Sequence, residues 1–326
     1  MIGILGSGSW ATALAKIALS NAEEINWYIR KQETIDEFIE NRRNPNHLEW
    51  AYFDTTKIHF SCDINDVLKA SDTLILAIPS PYIKSCLNEI TVDLSEKHVI
   101  SAIKGMIPDE NVLVTDYLHQ RFQIPQANIG VIAGPCHAEE IALERLSYLT
   151  IGCTHMEHAE KWSEMLTNRY VYVTPSNDVI GLEYSSVMKN IYAIAAGMCT
   201  SLRYGDNFQA VLLTNAMHEI QRFATAHSDI PRDITKSGYL GDVLVTAYSK
   251  FSRNRQFGQM IGMGYSVKAA QTEMEMVAEG YYGTKAIHIA NKAMKIDLPI
   301  VEAMYQILYK RKSPKNTIKE LTQRFH

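Results

Sequence analysis

The run Gly6-Ser7-Gly8-Ser9-Trp10-Ala11 follows the apolar stretch Ile2-Gly3-Ile4-Leu5 and leads straight into the apolar-periodic positions Trp10, Ala13, Leu14, Ile17 and Ala18. A strand, a glycine turn and a helix in that order leave few folds open. Gly6 permits the sharp turn, and Gly8 lets a ligand approach the backbone. Ala11 takes the third position, where a small residue allows helix and strand to pack closely. Free N–H groups and the dipole at the helix start favour negative charge, so the turn suits a pyrophosphate. An ordinary glycine turn before a helix is the plainer alternative. The placement between strand and helix favours the dinucleotide reading.

The rest of the first half continues the alternation. Strands are expected at Glu24–Ile29, Thr73–Ile78, Val99–Ala102, Ile129–Ala133, Tyr148–Gly152 and Tyr170–Thr174. The early runs are apolar on both alternating faces, as buried parallel strands should be. The segment Arg42–Thr56 reads as a loop that carries at most short helix. After Pro175 the strand signals stop, and helical patterns span roughly 180–203, 206–227, 231–249, 266–278, 283–294 and 299–309. The fold class is therefore α/β: a doubly wound, Rossmann-type, mainly parallel sheet followed by an all-α domain. The expected boundaries are 1–178 and 179–326. The basic stretch Lys310-Arg311-Lys312 reads as a solvated terminus.

Charge and cysteine content narrow the class. A net charge of -4 gives no sign of a nucleic-acid or membrane surface. An anionic ligand would have to be held by local basic residues. The five cysteines, Cys62, Cys86, Cys136, Cys153 and Cys199, are scattered, with no C-x-x-C pair. This argues against a disulfide framework or zinc site and fits a reducing compartment. No apolar run approaches the roughly 18 residues needed to cross a bilayer, and the first strand leaves no room for a signal peptide. A cytoplasmic protein is expected. His155 and His158 have no third ligand nearby, so no metal is expected.

Cofactor choice falls at the end of the second strand. An NAD site usually places an acid about 20 residues after the glycine turn, to bind the ribose hydroxyl. Here the strand ends in Arg30-Lys31, with no acid until Glu33. A guanidinium suits a 2′-phosphate, which favours NADP over NAD or tolerance of both. A surface Arg-Lys pair is the alternative. Ile78-Pro79-Ser80-Pro81 is either a rigid loop against the nicotinamide ribose or a plain strand terminator. Lys104 and Gly134-Pro135-Cys136 each follow a strand at the carboxyl edge of the sheet, where ligands bind. Alone, Lys104 reads as readily as a solvated lysine, and His137 reads as structural.

The helical half carries the sharper signal. Lys189 shares a helix face with Ser185, Ser186, Ala193 and Ala196. A lysine among small residues leaves a hollow that a ligand could fill, and desolvation there would lower its pKa towards the range useful for proton transfer. A lysine packed tightly against a neighbouring helix is the alternative. Asp242, on the turn Gly238-Tyr239-Leu240-Gly241, could accept hydrogen bonds from hydroxyls or orient a lysine. Ser252-Arg253-Asn254 sets a hydroxyl, a guanidinium and an amide in succession, with no acid among them. That reads as a compact anion cradle or as a basic surface turn.

Taken in order, these residues resemble the NAD(P)-dependent glycerol-3-phosphate dehydrogenase family of bacterial type. The resemblance rests on the Gly6–Trp10 turn, Lys104-Gly105, Gly134-Pro135, Lys189-Asn190, Gly205-Asp206-Asn207, Leu240-Gly241-Asp242, Ser252-Arg253-Asn254-Arg255 and Glu279-Gly280. It covers nearly the whole chain. The combination of Lys-Asn with Ser-Arg-Asn-Arg is specific, whereas the glycine turn is shared with many dehydrogenases. The chain departs from the family pattern at Ala11, Cys136, His137, Tyr239 and Tyr281-Tyr282.

The resemblance implies reversible reduction of dihydroxyacetone phosphate to sn-glycerol 3-phosphate, supplying glycerophospholipid synthesis, with NADP or NAD as cofactor and NADPH somewhat favoured. It implies that Gly6, Gly8, Ser9, Trp10, Arg30, Lys104, Ala138, Arg253, Val277 and Glu279 contact the cofactor. Lys104, Gly134, Cys136, Lys189, Asp242, Ser252, Arg253 and Asn254 would contact the substrate. Lys189 would be the proton acceptor, with Lys104 stabilising the developing alkoxide. A homodimer is expected, with no nucleic-acid partner and no membrane span. The rival readings are a dehydrogenase acting on another phosphorylated or carboxylated hydroxy substrate, and a sensor that holds NAD(P) without turnover. A sensor has no need of Lys189 or an anion cradle.

Overall fold

A computed structural model describes residues 1–274 and 277–325 of the chain. The chain divides into two compact units: Met1–Ile103 with Val114–Val179, and Lys104–Leu113 with Ile180–His326. The division is not a single cut in the sequence, because the segment Lys104–Leu113 joins the helical unit.

The first unit is built on β1 (Ile2–Leu5), β2 (Ile25–Tyr28), β3 (Ile58–Ser61), β4 (Thr73–Leu76), β5 (His98–Ser101), β6 (Ile129–Ala133), β7 (Ser147–Cys153) and β8 (Val171–Ser176). Their order in one sheet is β3-β2-β1-β4-β5-β6-β7-β8. Neighbours run parallel except β6 and β7, which are antiparallel. The order reverses between β1 and β4, which makes a topological switch point beside the glycine turn. β1, β2 and β6 are buried along their whole length, which is why they read as unbroken apolar runs.

β3 is absent from the sequence expectation. Its residues Ile58-His59-Phe60-Ser61 form an edge strand with neither a long apolar run nor clean alternation. Tertiary packing places it: Phe60 lies 5.8 Å from the Trp27 ring, which also meets Phe38 at 5.2 Å and Phe53 at 5.7 Å. β8 is the opposite edge and carries Pro175 within it, one residue past the expected end of that strand at Thr174. An edge strand tolerates proline because one of its sides is unpaired.

The second unit is helical among its described residues. Its helices span Val179–Ser201, Gly205–His227, Asp242–Tyr248, Arg253–Gly262, Val267–Glu273, Glu279–Met294, Pro299–Leu308 and Pro314–Thr322. The expected helix 231–249 is shorter, because a π-helical turn begins only at Ser237 and becomes α-helical at Asp242. Before it, the Asp233 carboxylate takes hydrogen bonds from Thr235 N and Oγ1, a local turn that competes with helix. The expected helix 266–278 ends at Glu273, and Glu275 and Met276 lie outside the described residues. Ser252 does cap a helix, Arg253–Gly262, by accepting from Arg255 N. Lys310–Lys312 is exposed but is not the terminus: Ser313 caps a further helix that buries Ile318 and Leu321.

Two helices in this unit touch backbone to backbone. A Cβ on Gly197 would lie 2.0 Å from Arg255 O, and one on Gly258 would lie 2.0 Å from Ile194 O. Any larger residue at either position would force Val179–Ser201 and Arg253–Gly262 apart. Among the described residues, no helix is long and apolar enough to cross a membrane. None of their His, Cys, Asp and Glu side chains form a group of three that could hold a metal ion. The five cysteines are free thiols.

Candidate active site

The glycine turn has the geometry of an oxyanion cradle. Gly6 has φ +123°, and a Cβ there would sit 2.6 Å from Ala77 O, so only glycine fits. Gly8 is the N-cap of the helix Ser9–Ala18, which has no side-chain cap and no acid in its first turn. A Cβ on Gly8 would meet nothing within 4 Å. Uncapped N–H donors therefore face open space, which fits a pyrophosphate.

Side chains from elsewhere in the unit hold this turn. Trp27 Nε1 donates to Gly6 O at 2.7 Å. Asn44, almost wholly buried, donates to Ser7 O at 2.9 Å and to Thr12 Oγ1 at 2.8 Å. Its Oδ1 accepts from Asn46 N at 3.0 Å. Ser9 Oγ lies 3.4 Å from His47 Nδ1. Asn44 and His47 belong to the Arg42–Thr56 segment, which the sequence presents only as a loop. The visible signal there is the turn-forming Asn44-Pro45-Asn46.

Arg30 is exposed, two residues beyond β2. Gly134, Cys136 and Ala138 follow β6, and Cys136 N donates to Gly134 O at 3.0 Å. Ala138 is buried at the start of the short helix Ala138–Ala142, which packs against Ser9–Ala18.

The second unit brings most of its candidate residues into one connected group. Lys189 Nζ is hydrogen-bonded and ion-paired to Asp242 Oδ1, with both side chains buried. Asp242 is placed by the π-helical turn Ser237–Gly241, a departure from regular helix that often marks functional positions. The face around Lys189 thus differs from the sequence reading: an acid fills part of it. Ser185 and Ser186, one turn away on the same helix, are buried, and their hydroxyls have no hydrogen-bond partner.

Asn190, beside Lys189, is the hub. Its Nδ2 donates to Lys104 O at 3.0 Å, and its Oδ1 accepts from Asn254 Nδ2 at 3.0 Å. Asn254 Oδ1 in turn accepts from Gly280 N at 2.8 Å, next to Glu279. Two amide side chains thereby tie the backbones of Lys104, Lys189, Arg253 and Glu279 together. Within Ser252-Arg253-Asn254, the Ser252 hydroxyl also caps its helix, at 3.3 Å from Arg255 N, and the Asn254 amide also takes part in the network. Arg253, half-buried at the first position of its helix, is the charged member. Val277 is half-buried, two residues before Glu279. Asn190 was visible in the sequence only as the neighbour of Lys189.

Residues 1–159 match the family model for the N-terminus of NAD-dependent glycerol-3-phosphate dehydrogenase, and residues 178–319 match the model for its C-terminus. A glycerol-3-phosphate dehydrogenase [NAD(P)+] of an Exiguobacterium species is 33% identical over 99% of this chain and 95% of its own length. One from Staphylococcus aureus is 30% identical over 99% of this chain and 98% of its own. The crystal structure of glycerol-3-phosphate dehydrogenase from Coxiella burnetii superposes with a TM-score of 0.89 at 26% identity, covering 99% of this chain and 98% of that one. With both halves and nearly the full length matched, the chain belongs to the NAD-dependent glycerol-3-phosphate dehydrogenase family.

Proposed function

We propose that the protein is an NAD(P)-dependent oxidoreductase that interconverts dihydroxyacetone phosphate and sn-glycerol 3-phosphate. The observation that carries this reading is the buried Lys189–Asp242 pair, joined through Asn190 and Asn254 to Lys104, Arg253 and Gly280. The uncapped turn of the first unit supplies a fitting cradle for the dinucleotide. Gly6, Gly8, Ser9 and Trp10 would hold its pyrophosphate side, Arg30 its adenosine ribose, and Ala138, Arg253, Val277 and Glu279 the remainder. When bound, the nicotinamide supplies or takes the hydride.

The chain's own residues manage the proton and the charge. Lys189 gives a proton to the substrate carbonyl oxygen in reduction and takes the hydroxyl proton in the reverse direction. Asp242 orients the Lys189 amine through their contact. Lys104 stabilises negative charge developing on the substrate oxygen. Arg253 binds the substrate phosphate, and that remote binding orients the reacting carbon. Gly134 and Cys136 are assigned to the substrate as well. Asn254 acts by positioning Arg253, and Ser252 by capping the helix on which Arg253 sits.

The direct test is oxidation of NADPH and of NADH with dihydroxyacetone phosphate, beside short 2-oxo acids. Turnover is expected with the phosphorylated ketone and either cofactor. Absence of turnover with both cofactors would defeat the reading, and turnover confined to the 2-oxo acids would move it to another substrate. Arg30→Ala is expected to weaken NADPH by about tenfold and NADH far less, because the lost contact is with the 2′-phosphate. Equal losses would remove Arg30 from cofactor choice. The proposal extends to a cytoplasmic homodimer; a single-chain mass in solution, by light scattering, would sink the dimer.

Asn44→Ala tests how the turn is held. The substitution removes both hydrogen bonds that fix Ser7 and Thr12, so the dissociation constant for NADPH is expected to rise about five- to thirtyfold, for roughly 1–2 kcal/mol lost. The kcat at saturating cofactor should change little, since Asn44 does not touch the reacting atoms. A fall in kcat at unchanged cofactor affinity would contradict this.

A further inference from the structure

An open surface cleft of about 320 Å³ lies on the helical unit, away from the Lys189 group, with Arg203, Gly205, Asp206 and Tyr248 exposed at it. Thr200, Arg203, Gly205, Asp206, Tyr248 and Arg255 are among the residues that line it. Thr200 stands on the same helix as Lys189, and their separation in sequence corresponds to about 16 Å along the helix axis. Arg255 is two positions beyond Arg253, which turns it about 200° round its helix, to the opposite side. Neither Lys189, Asp242 nor Arg253 lines the cleft.

Its charges are arranged for an anion. Among the described residues the guanidinium groups of Arg203 and Arg255 make no hydrogen bond or ion pair, although both line one concave surface. The Arg255 backbone is fixed by its close approach to Gly197. Gly205, at φ +76°, opens the helix Gly205–His227, whose N-cap Tyr204 supplies no side-chain cap. The first-turn N–H groups of a 23-residue helix therefore lie at the cleft wall. Asp206 is the one carboxylate in the lining, set against two guanidiniums. It can accept a hydrogen bond from a hydroxyl or a protonated phosphate oxygen, and so does not bar a phosphate.

We propose that this cleft is a second anion site, distinct from the substrate cradle, which binds a phosphate group either free or as a monoester on a small molecule. Planar guanidiniums match the oxygens of a phosphate in pairs, and the Tyr248 hydroxyl can donate to a further oxygen. The volume exceeds that of a bare phosphate and leaves room for a small esterified group.

Calorimetric titration with inorganic phosphate tests this in an Arg253→Ala background, which removes the proposed substrate contact. That protein is expected to bind one phosphate per chain. Arg203→Gly, added to it, is expected to weaken binding at least tenfold. Glycine suits the φ of +61° at this position, so the variant should keep its fold. Arg255→Gln should weaken binding similarly, and sodium chloride at equal ionic strength should not compete. Titration with glycerol 2-phosphate distinguishes the sources: tighter binding than inorganic phosphate identifies a monoester, weaker binding identifies free phosphate. No phosphate bound in the Arg253→Ala background, or binding unmoved by Arg203→Gly and Arg255→Gln, would overturn the proposal. Failure of the dehydrogenase assay would leave it standing, because it draws on no residue assigned to that reaction.

Discussion

Lys189→Ala is expected to lower kcat by about 10²–10⁴-fold while leaving the dissociation constant for NADPH within a factor of about two. The kcat falls because the variant loses the group placed to pass a proton to and from the substrate oxygen. Cofactor affinity holds because Lys189 is assigned to the substrate and not to the cofactor. The substitution has a structural cost that must be separated from the catalytic one. It leaves Asp242 buried without its cation, a situation that typically destabilises by about 3–5 kcal/mol. The double variant Lys189→Ala/Asp242→Asn removes that stranded charge. Its melting temperature should recover towards wild type while kcat stays low. Recovery of kcat together with stability would show that Lys189 matters for packing and not for proton transfer. A folded Lys189→Ala protein with wild-type kcat would end its assignment altogether.

The same pair shows what a sequence can and cannot display. Gly6 and Gly8 are legible because a positive φ and a bare backbone are local demands, met within a few residues. The buried runs of β1 and β6 are legible for a similar reason: burial on both faces writes itself into consecutive positions. The Lys189–Asp242 contact bridges 53 residues, Asn190–Lys104 bridges 86 and Asn44–Thr12 bridges 32. No periodicity encodes such partners. The residues were visible as polar side chains on apolar elements, but which acid meets which lysine depends on how the helices pack. β3 was missed for the related reason that an edge strand of mixed polarity is fixed by its aromatic neighbours Trp27 and Phe38. Ser252-Arg253-Asn254 shows the same limit from the other side: the run displays three adjacent polar residues, but not that Ser252 also caps the helix and that Asn254 also bonds Asn190 and Gly280.

Stability is expected to fall as pH rises from about 5 to about 8, and to level off above, because of Glu219. Its side chain is fully buried on the helix Gly205–His227, and burial pushes its carboxyl up to about 8. In the unfolded chain the group ionises near its ordinary value of 4.5. Between those values the folded state holds a proton that the unfolded state has released, so the unfolded state is favoured progressively as pH rises. The full difference would correspond to no more than about 5 kcal/mol at 1.36 kcal/mol per pH unit. The ionised form is partly supported: Ile300 N donates at 2.5 Å, Val301 N at 3.3 Å and Tyr192 OH at 3.2 Å. The first two lie at the start of the helix Pro299–Leu308, whose dipole also favours negative charge. A loss of about 1–3 kcal/mol across the window is therefore expected. His98 works the other way, since burial lowers its pKa and stability gained from its deprotonation rises with pH. Comparison of wild type with Glu219→Gln cancels that contribution, because both proteins carry His98; glutamine does not titrate and, like the protonated carboxyl, keeps one acceptor oxygen. Urea midpoints from pH 5 to 9 should converge for the two proteins at low pH and separate towards pH 8, with wild type the less stable. Glu219→Ala, which strands two helix amides and a tyrosine hydroxyl in a cavity, should cost about 3–5 kcal/mol at pH 5, and less against wild type towards pH 8. Wild type and Glu219→Gln tracing parallel curves would mean that the carboxyl stays ionised throughout, held by its three donors against the cost of burial.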